Sequence, residues 1–311
     1  MRGEKILVFG AGVLGSLYAA SLKEAGYDVH IVVRGRRLQE VRSQGIILQH
    51  AFSGKRTVVR LQAVEKLSPS DKYDYIIVLV RKNQVDDALA VVGNNKNTPN
   101  ILVMVNNPSG YQSWVNAVGQ ERLLLGFAGA GGAIDNGVVI YALAPGFFQP
   151  TTLAELDGRE TERLKTMARI FRQAGFPVAI CSNMDAWQKT HVAWVSPLAQ
   201  AIYQAEKAGV SLSASKPLLN LTVEAIRESF DVLEKLGIPI TPPMLMFWKR
   251  LPKFVLVDSL AIWTRTEHFK TLALRHSLAA RDEMRLLADE FSMLAQVAQQ
   301  PTPALEQLTR R

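Results

Sequence analysis

The chain has 311 residues, 48% of them hydrophobic and 21% charged, with a formal net charge of +8. That length suffices for two domains with separate cores, and the balance is that of an ordinary globular protein rather than a disordered one. The basic residues are scattered and carry no zinc-finger, basic-zipper or RNA-recognition signature, so the charge suits a small anionic ligand and nucleic acid is not expected. The lone Cys181 permits no internal disulfide, which fits a reducing cytoplasm, and it is read as filling space rather than reacting. The N-terminus does not read as a signal peptide. The most apolar late run, FVLVDSLAIW at 254–263, contains Asp258 and falls short of the roughly 20 residues a membrane span needs, so no membrane association is expected.

In chain order, KILVF (5–9) reads as a short buried strand, VLGSLYAASLKEAG (13–26) as a helix stopped by Gly26, and DVHIVV (28–33) as a second strand. GIILQH and KRTVVRLQAV flank AFSG and read as an inserted hairpin. YDYIIVLV (73–80) is a strand, NQVDDALAVV a helix, and NILVMV (100–105) a strand running into NNPSG. RLLLGFAGAGG, GVVIYALA and GFFQPTTLAEL read as strands joined by glycine turns, followed by the helix GRETERLKTMARIFRQAG (158–175) and the strand FPVAI. From Ala186 onward the pattern is that of long amphipathic helices broken by GIPITPP (237–243). The expected fold is therefore α/β: a Rossmann dinucleotide-binding domain over residues 1–182, then an all-helical domain over 183–311 that holds substrate. The default ligand site for such a layout is a cleft between the two domains.

Gly10, Gly12 and Gly15 satisfy G-x-G-x-x-G inside a strand-turn-helix-strand unit of the right size. Gly10 allows the tight turn, Gly12 admits the pyrophosphate, and Gly15 lets helix and strand pack closely. The N–H groups of Val13, Leu14 and Gly15 then face the phosphates at the positive end of the helix dipole. At the end of the second strand stands Arg34, with no acidic residue beside it to accept from a ribose 2′-OH, so the expected cofactor is NADP(H). Arg36 and Arg37 are read either as part of that site or as a solvated helix start. The histidines (His30, His50, His191, His268, His276) show no ligand spacing, and no metal is expected.

FGAGVLGS, Arg34, VLVRKNQVDDAL, VNNPSG, WQKTHVAWVSPLAQAI and RDEMRLLADE followed by PTPALEQL, in that order, resemble the ketopantoate reductase (2-dehydropantoate 2-reductase) family over nearly the whole chain. The resemblance implies reduction of a 2-oxo acid to a 2-hydroxy acid by NADPH. It implies that Lys189 is the general acid and that Glu283 binds the substrate hydroxyl. An ammonium suits the first task, since it both stabilises developing negative charge and donates a proton. The resemblance also implies that Asn107 positions cofactor or carbonyl, that Arg81 takes the place of a lysine closing over the cofactor phosphates, and that Thr271 takes that of a serine contacting the substrate carboxylate. Gln84 falls in the same turn as Arg81 and either contacts the adenosine end or caps a helix.

Departures from the family pattern bear on the substrate. Two amide side chains expected four and eight residues past the lysine are replaced by Ala193 and, after a one-residue contraction, Ser196; an expected Asn-Gly pair appears as Ala288 and Asp289. These losses point to a related, more apolar oxo acid than ketopantoate. Trp187, Trp194, Trp248 and Trp263 in the helical domain suit an apolar pocket, core packing or a homodimer interface. His191 is read as a packed imidazole or a second proton carrier. Two other readings stay open: an NADP(H)-sensing binding protein without turnover, and a dehydrogenase of the hydroxyisobutyrate or 6-phosphogluconate type.

Overall fold

A computed structural model describes residues 3–310, which form two compact units: one running to Val105 and resuming over Tyr111–Met184, the other formed by Asn106–Gly110 and Asp185 onward. The first unit opens with β1 (Lys5–Phe9), α1 (Val13–Glu24) and β2 (Asp28–Val32), then α2 (Gly35–Gln44), β3 (Ile46–His50), β4 (Arg56–Val59) and β5 (Gln62–Val64). It continues through β6 (Tyr75–Val78), α3 (Val85–Asn94), β7 (Asn100–Val103), α4 (Gln112–Val118), β8 (Leu123–Phe127), β9 (Ala130–Asp135), β10 (Val138–Leu143), β11 (Thr151–Glu155), α5 (Glu162–Gln173) and β12 (Val178–Ile180).

The main sheet runs β12-β11-β8-β7-β6-β1-β2-β5. Every neighbouring pair is parallel except β8 with β11. Leaving out the short hairpin strands, β5-β2-β1-β6-β7-β8 is the 3-2-1-4-5-6 order of the Rossmann fold, whose direction reverses between β1 and β6. The central strands are continuous apolar runs, as burial on both faces requires; Ile6, Leu7, Val8, Ile76 and Ile77 are fully buried. Helix α1 is pinned from behind by Tyr18, whose ring stacks on Phe176 at 4.1 Å and meets Phe171 edge-on at 5.2 Å. Its hydroxyl lies 2.5 Å from Thr151 Oγ1.

Two strand readings change. KRTVVRLQAV is not one arm of a hairpin: its first half, β4, pairs antiparallel with β3, whereas its second half, β5, joins the main sheet parallel to β2. RLLLGFAGAGG likewise divides at Ala128–Gly129 into β8 of the main sheet and β9 of a second, four-stranded sheet ordered β4-β3-β10-β9. Helix α4 has no counterpart in the sequence reading; it is short, has no side-chain cap and buries Trp114 completely.

Among the described residues the second unit contains no strand. Its helices are α6 (Met184–Lys207), α7 (Lys216–Lys235), α8 (Met244–Arg250), α9 (Lys253–Trp263), α10 (Glu267–Phe269), α11 (Arg275–Ala279), α12 (Arg281–Ala298) and α13 (Pro303–Thr309). A π-helical turn, Lys270–Leu274, joins α10 to α11. Val192, Phe230, Leu233, Leu287 and Phe291 centre its core, and Trp194, Trp248 and Trp263 pack against it, Trp194 and Trp248 edge-on at 4.5 Å. Core packing thus accounts for these three tryptophans. No helix of the described residues is long and apolar enough to cross a membrane.

Candidate active site

Parallel register carries several of the expected cofactor residues to one edge of the main sheet. Phe9 lies opposite both Val32 and Val78, so the glycine turn, Arg34 and Arg81 all follow the C-terminal ends of adjacent strands, at the reversal point where such folds bind dinucleotides. Gly10 has φ +117°, and a Cβ there would meet the Leu79 carbonyl oxygen at 2.3 Å. A Cβ on Gly15 would lie 1.9 Å from the Gly10 carbonyl oxygen, so this glycine is what lets α1 close onto the turn. Gly12 differs: its backbone is extended, and a Cβ would meet nothing within 4 Å. That open space lies at the N-cap of α1, which has no side-chain cap and no acidic residue in its first turn. The first intrahelical bond runs from Ser16 N–H to the Gly12 carbonyl at 2.9 Å, leaving the N–H groups of Val13, Leu14 and Gly15 for an external acceptor. These features fit a dinucleotide pyrophosphate.

Arg34 is exposed at the N-cap of α2, and no carboxylate pairs with it among the described residues. The neighbouring arginines are engaged. Arg36 Nε donates to Glu40 at 2.9 Å, and Arg37 Nη1 donates to Glu40 and to the Gly137 carbonyl, which ties α2 to the β9–β10 turn. Gln84 Oε1 lies 3.4 Å from the Arg81 backbone N–H, the capping geometry weighed for it from the sequence. The Asn107 amide closes its own loop: Nδ2 donates to the Gly110 carbonyl at 2.6 Å and Oδ1 accepts from Ser109 N–H at 3.2 Å. The preceding Asn106 carries a buried Oδ1 without a hydrogen-bond partner.

In the second unit, Lys189 projects from α6 with its side chain 12% exposed, and its Nζ lies 2.5 Å from Asp185 Oδ2 one turn earlier. His191 stacks flat on Trp187 with ring centroids 5.3 Å apart. Burial pushes its imidazole down to about 3, with nearby His276 adding to the effect, so it is neutral at neutral pH and is no proton donor there. Glu283 stands in the first turn of α12 and is only 4% exposed, despite its charge-rich sequence surroundings. Its Oε2 lies 3.9 Å from His276 Nε2. Thr271 is buried in the π-helical turn, a helix irregularity that occurs frequently at functional sites. Tyr203 of α6 donates to the Ser277 carbonyl at 2.7 Å, and Arg281 lies 4.6 Å over its ring. The helix of Lys189 is thereby packed on the segment between Thr271 and Glu283. Burial also raises the Cys181 thiol, in keeping with an unreactive side chain.

Residues 6–157 match the family model described as ketopantoate reductase PanE/ApbA. The 2-dehydropantoate 2-reductase of Pyrococcus horikoshii is 25% identical over 248 residues, covering 75% of this chain and 75% of that protein. Over 6–157 this chain is thus similar to the ketopantoate reductase family. The match and the curated relatives indicate an oxidoreductase acting on CH–OH groups. The fold agrees: the crystal structure of the Geobacter metallireducens 2-dehydropantoate 2-reductase superposes with a TM-score of 0.77 at 17% identity, over 98% of this chain and 97% of that one. A ternary structure of D-mandelate dehydrogenase with NADH and anilino(oxo)acetate does so with a TM-score of 0.74 at 18% identity, over 98% and 96% of the two chains.

The structure singles out two residues that the sequence reading passed over. Asp185 is the ion-pair partner of Lys189, and its signal was the i,i+4 spacing on a helix. Asn106 carries the unpartnered amide oxygen in a loop where its neighbour's amide serves the turn itself. The N-N doublet held no cue to which of the two does which.

Proposed function

We propose that the protein reduces a 2-oxo acid to the corresponding 2-hydroxy acid with NADPH. The observation that carries this reading is Lys189, a largely buried ammonium ion-paired with Asp185 on a helix packed on the segment between buried Thr271 and Glu283. The D-mandelate dehydrogenase neighbour, whose structure holds NADH beside an oxo acid, supports nicotinamide use. The choice of the 2′-phosphorylated form rests on exposed Arg34 at the end of β2, where a guanidinium matches a phosphate in charge and geometry.

Gly12 leaves room for the pyrophosphate, Val13, Leu14 and Gly15 offer backbone N–H donors, and Arg34 and Arg81 bring positive charge to the phosphates. When bound, the reduced nicotinamide supplies a hydride to the carbonyl carbon. As the C=O π bond breaks and its electron pair moves to oxygen, Lys189 stabilises the growing negative charge and transfers one proton from Nζ to it, giving the hydroxyl. Asp185 holds the ammonium in place at 2.5 Å before transfer. Glu283, nearly excluded from water, accepts a hydrogen bond from the new hydroxyl and fixes its orientation, while Thr271 offers a hydroxyl to the substrate carboxylate.

The test is NADPH oxidation over a panel of 2-oxo acids, followed at 340 nm. Substrate-dependent oxidation is expected, and Lys189→Ala should lower kcat by about 1,000-fold while leaving NADPH affinity unchanged. Tight NADPH binding with no turnover on any acid would overturn the reductase reading in favour of a cofactor-sensing protein. Arg34→Ala should weaken NADPH by about 10-fold or more and leave NADH unaffected. An equal effect on both would overturn the 2′-phosphate assignment.

A further inference from the structure

Glu283 and His276 are seven residues apart, which in a continuous α-helix would separate them by about 10 Å along the axis. The chain breaks between them at Ala280, where φ is −124° and ψ is 42°, and Glu283 Oε2 stands 3.9 Å from His276 Nε2. The two differ in their access to water: the Glu283 side chain is 5% exposed and that of His276 is 40% exposed. A buried carboxylate thus has a solvent-reachable imidazole beside it, on the segment that carries Thr271. At 3.9 Å the contact is an approach of charges and not a direct hydrogen bond.

A 2-oxo acid arrives as an anion. Thr271 offers its carboxylate only a hydroxyl, so a second negative charge enters near Glu283, and two carboxylates in one water-poor place do not both stay ionised without compensation. The cations nearby are charged before the acid arrives and do not change to meet it. Lys189 is matched by Asp185, Arg281 by Glu206, and Lys270, on the segment of His276, by Glu267. Arg275, Asp282 and Arg285 are exposed and keep their charges throughout. On α6, burial pushes Tyr203 up to about 12 and His191 down to about 3, so near neutral pH the first keeps its proton and the second takes none. His276 remains, with the side-chain type whose charge ordinarily changes between pH 5 and 8.

We infer that His276 takes up a proton from solvent when the 2-oxo acid binds and, as an imidazolium, holds Glu283 ionised and in place for the hydroxyl. The inference rests on the function proposed above. The proton adds to the ring nitrogen that lacks one and no bond in the acid breaks; both ring nitrogens then carry hydrogen, and Nε2 presents an N–H to Glu283 Oε2. His276 is therefore a positioning residue, acting on the acid through Glu283. The sign follows from linkage: binding that takes up a proton weakens as pH rises.

The experiment is calorimetric titration of 2-oxopentanoate into protein saturated with NADP+, which has no hydride to give. Repeating it at about pH 7.5 in buffers of different ionisation enthalpy counts the protons taken up. The wild type is expected to take up about 0.5 proton per acid and to lose about 5- to 10-fold in affinity between about pH 6 and 8.5. His276→Gln should take up fewer than about 0.1 and hold nearly the same affinity across that range. His276→Lys, charged throughout, should also take up none, yet at about pH 8.5 bind the acid about 5-fold more tightly than His276→Gln. 2-Oxopentanamide, which lacks the charge, should cause no uptake in the wild type. Binding of the acid without proton uptake, uptake that survives in His276→Gln or is matched by the amide, or a His276→Lys protein no tighter than His276→Gln would each overturn the inference and leave the reductase reading standing. Failure of every 2-oxo acid of the panel to bind would overturn the reductase reading and the inference together.

Discussion

Gly12 and Gly15 stand three residues apart in one turn and answer to different constraints. Gly15 is required by the fold, since its missing Cβ would sit 1.9 Å from a backbone oxygen, whereas Gly12 borders open space in a conformation any residue adopts. Gly15→Ala is therefore expected to destabilise the protein by about 3 kcal/mol in urea unfolding. Gly12→Asp should leave stability within about 0.5 kcal/mol, because aspartate is a good helix N-cap, while the added carboxylate repels the cofactor phosphates. NADPH affinity, read by fluorescence titration, should fall by about 100-fold or more; unchanged affinity would remove the pyrophosphate from this turn. The Gly15 position is legible in the sequence because its constraint acts within six residues of chain, whereas the closest contact at Gly10 is with the distant Leu79 carbonyl. The burial of Glu283 is not, since its neighbours Arg281, Asp282 and Arg285 read as a solvated face, and only the packing of α12 beneath the segment from Thr271 decides otherwise.

At the scale of elements, β11 and α5 are joined by a largely enclosed ion pair. Glu155, 5% exposed, accepts from Arg163 Nε at 2.8 Å and Nη2 at 2.6 Å, and from the Thr161 hydroxyl that caps α5. The pairing holds the Arg163 guanidinium above the usual arginine range. Glu155→Gln leaves a partly buried cation without its counter-ion and should cost about 2 kcal/mol in urea unfolding, whereas Arg159→Gln, which removes an exposed pair with Asp157, should cost under about 0.5 kcal/mol. Similar losses for the two would mean that the buried pair holds nothing. The helix itself is legible from its periodicity and its Thr-X-X-Leu start. Which strand it docks on is not, because sheet partners are set by pairing across the chain: residues 55–64 read as one hairpin arm and 122–132 as one strand, yet each divides between two sheets.

For the whole molecule, acid is the condition to which these packing choices respond together. The His191 imidazole, stacked on Trp187, is held down to about 3, and burial lowers His30 as well, although Asp28 beside it pulls the other way. In the unfolded chain both titrate near the ordinary histidine value of about 6.5. Below that pH the unfolded state takes up protons that the folded state refuses, so stability is full above about 6.5 and falls as pH drops toward 3. Thermal unfolding measured between pH 7 and 5 should show a midpoint that declines with acidification. His191→Gln, which cannot titrate, should flatten the decline even where it lowers the midpoint at pH 7, and His30→Gln should flatten it less. A slope unchanged in both variants would show that these rings take up their protons as readily folded as unfolded, and the burial argued for them would be wrong.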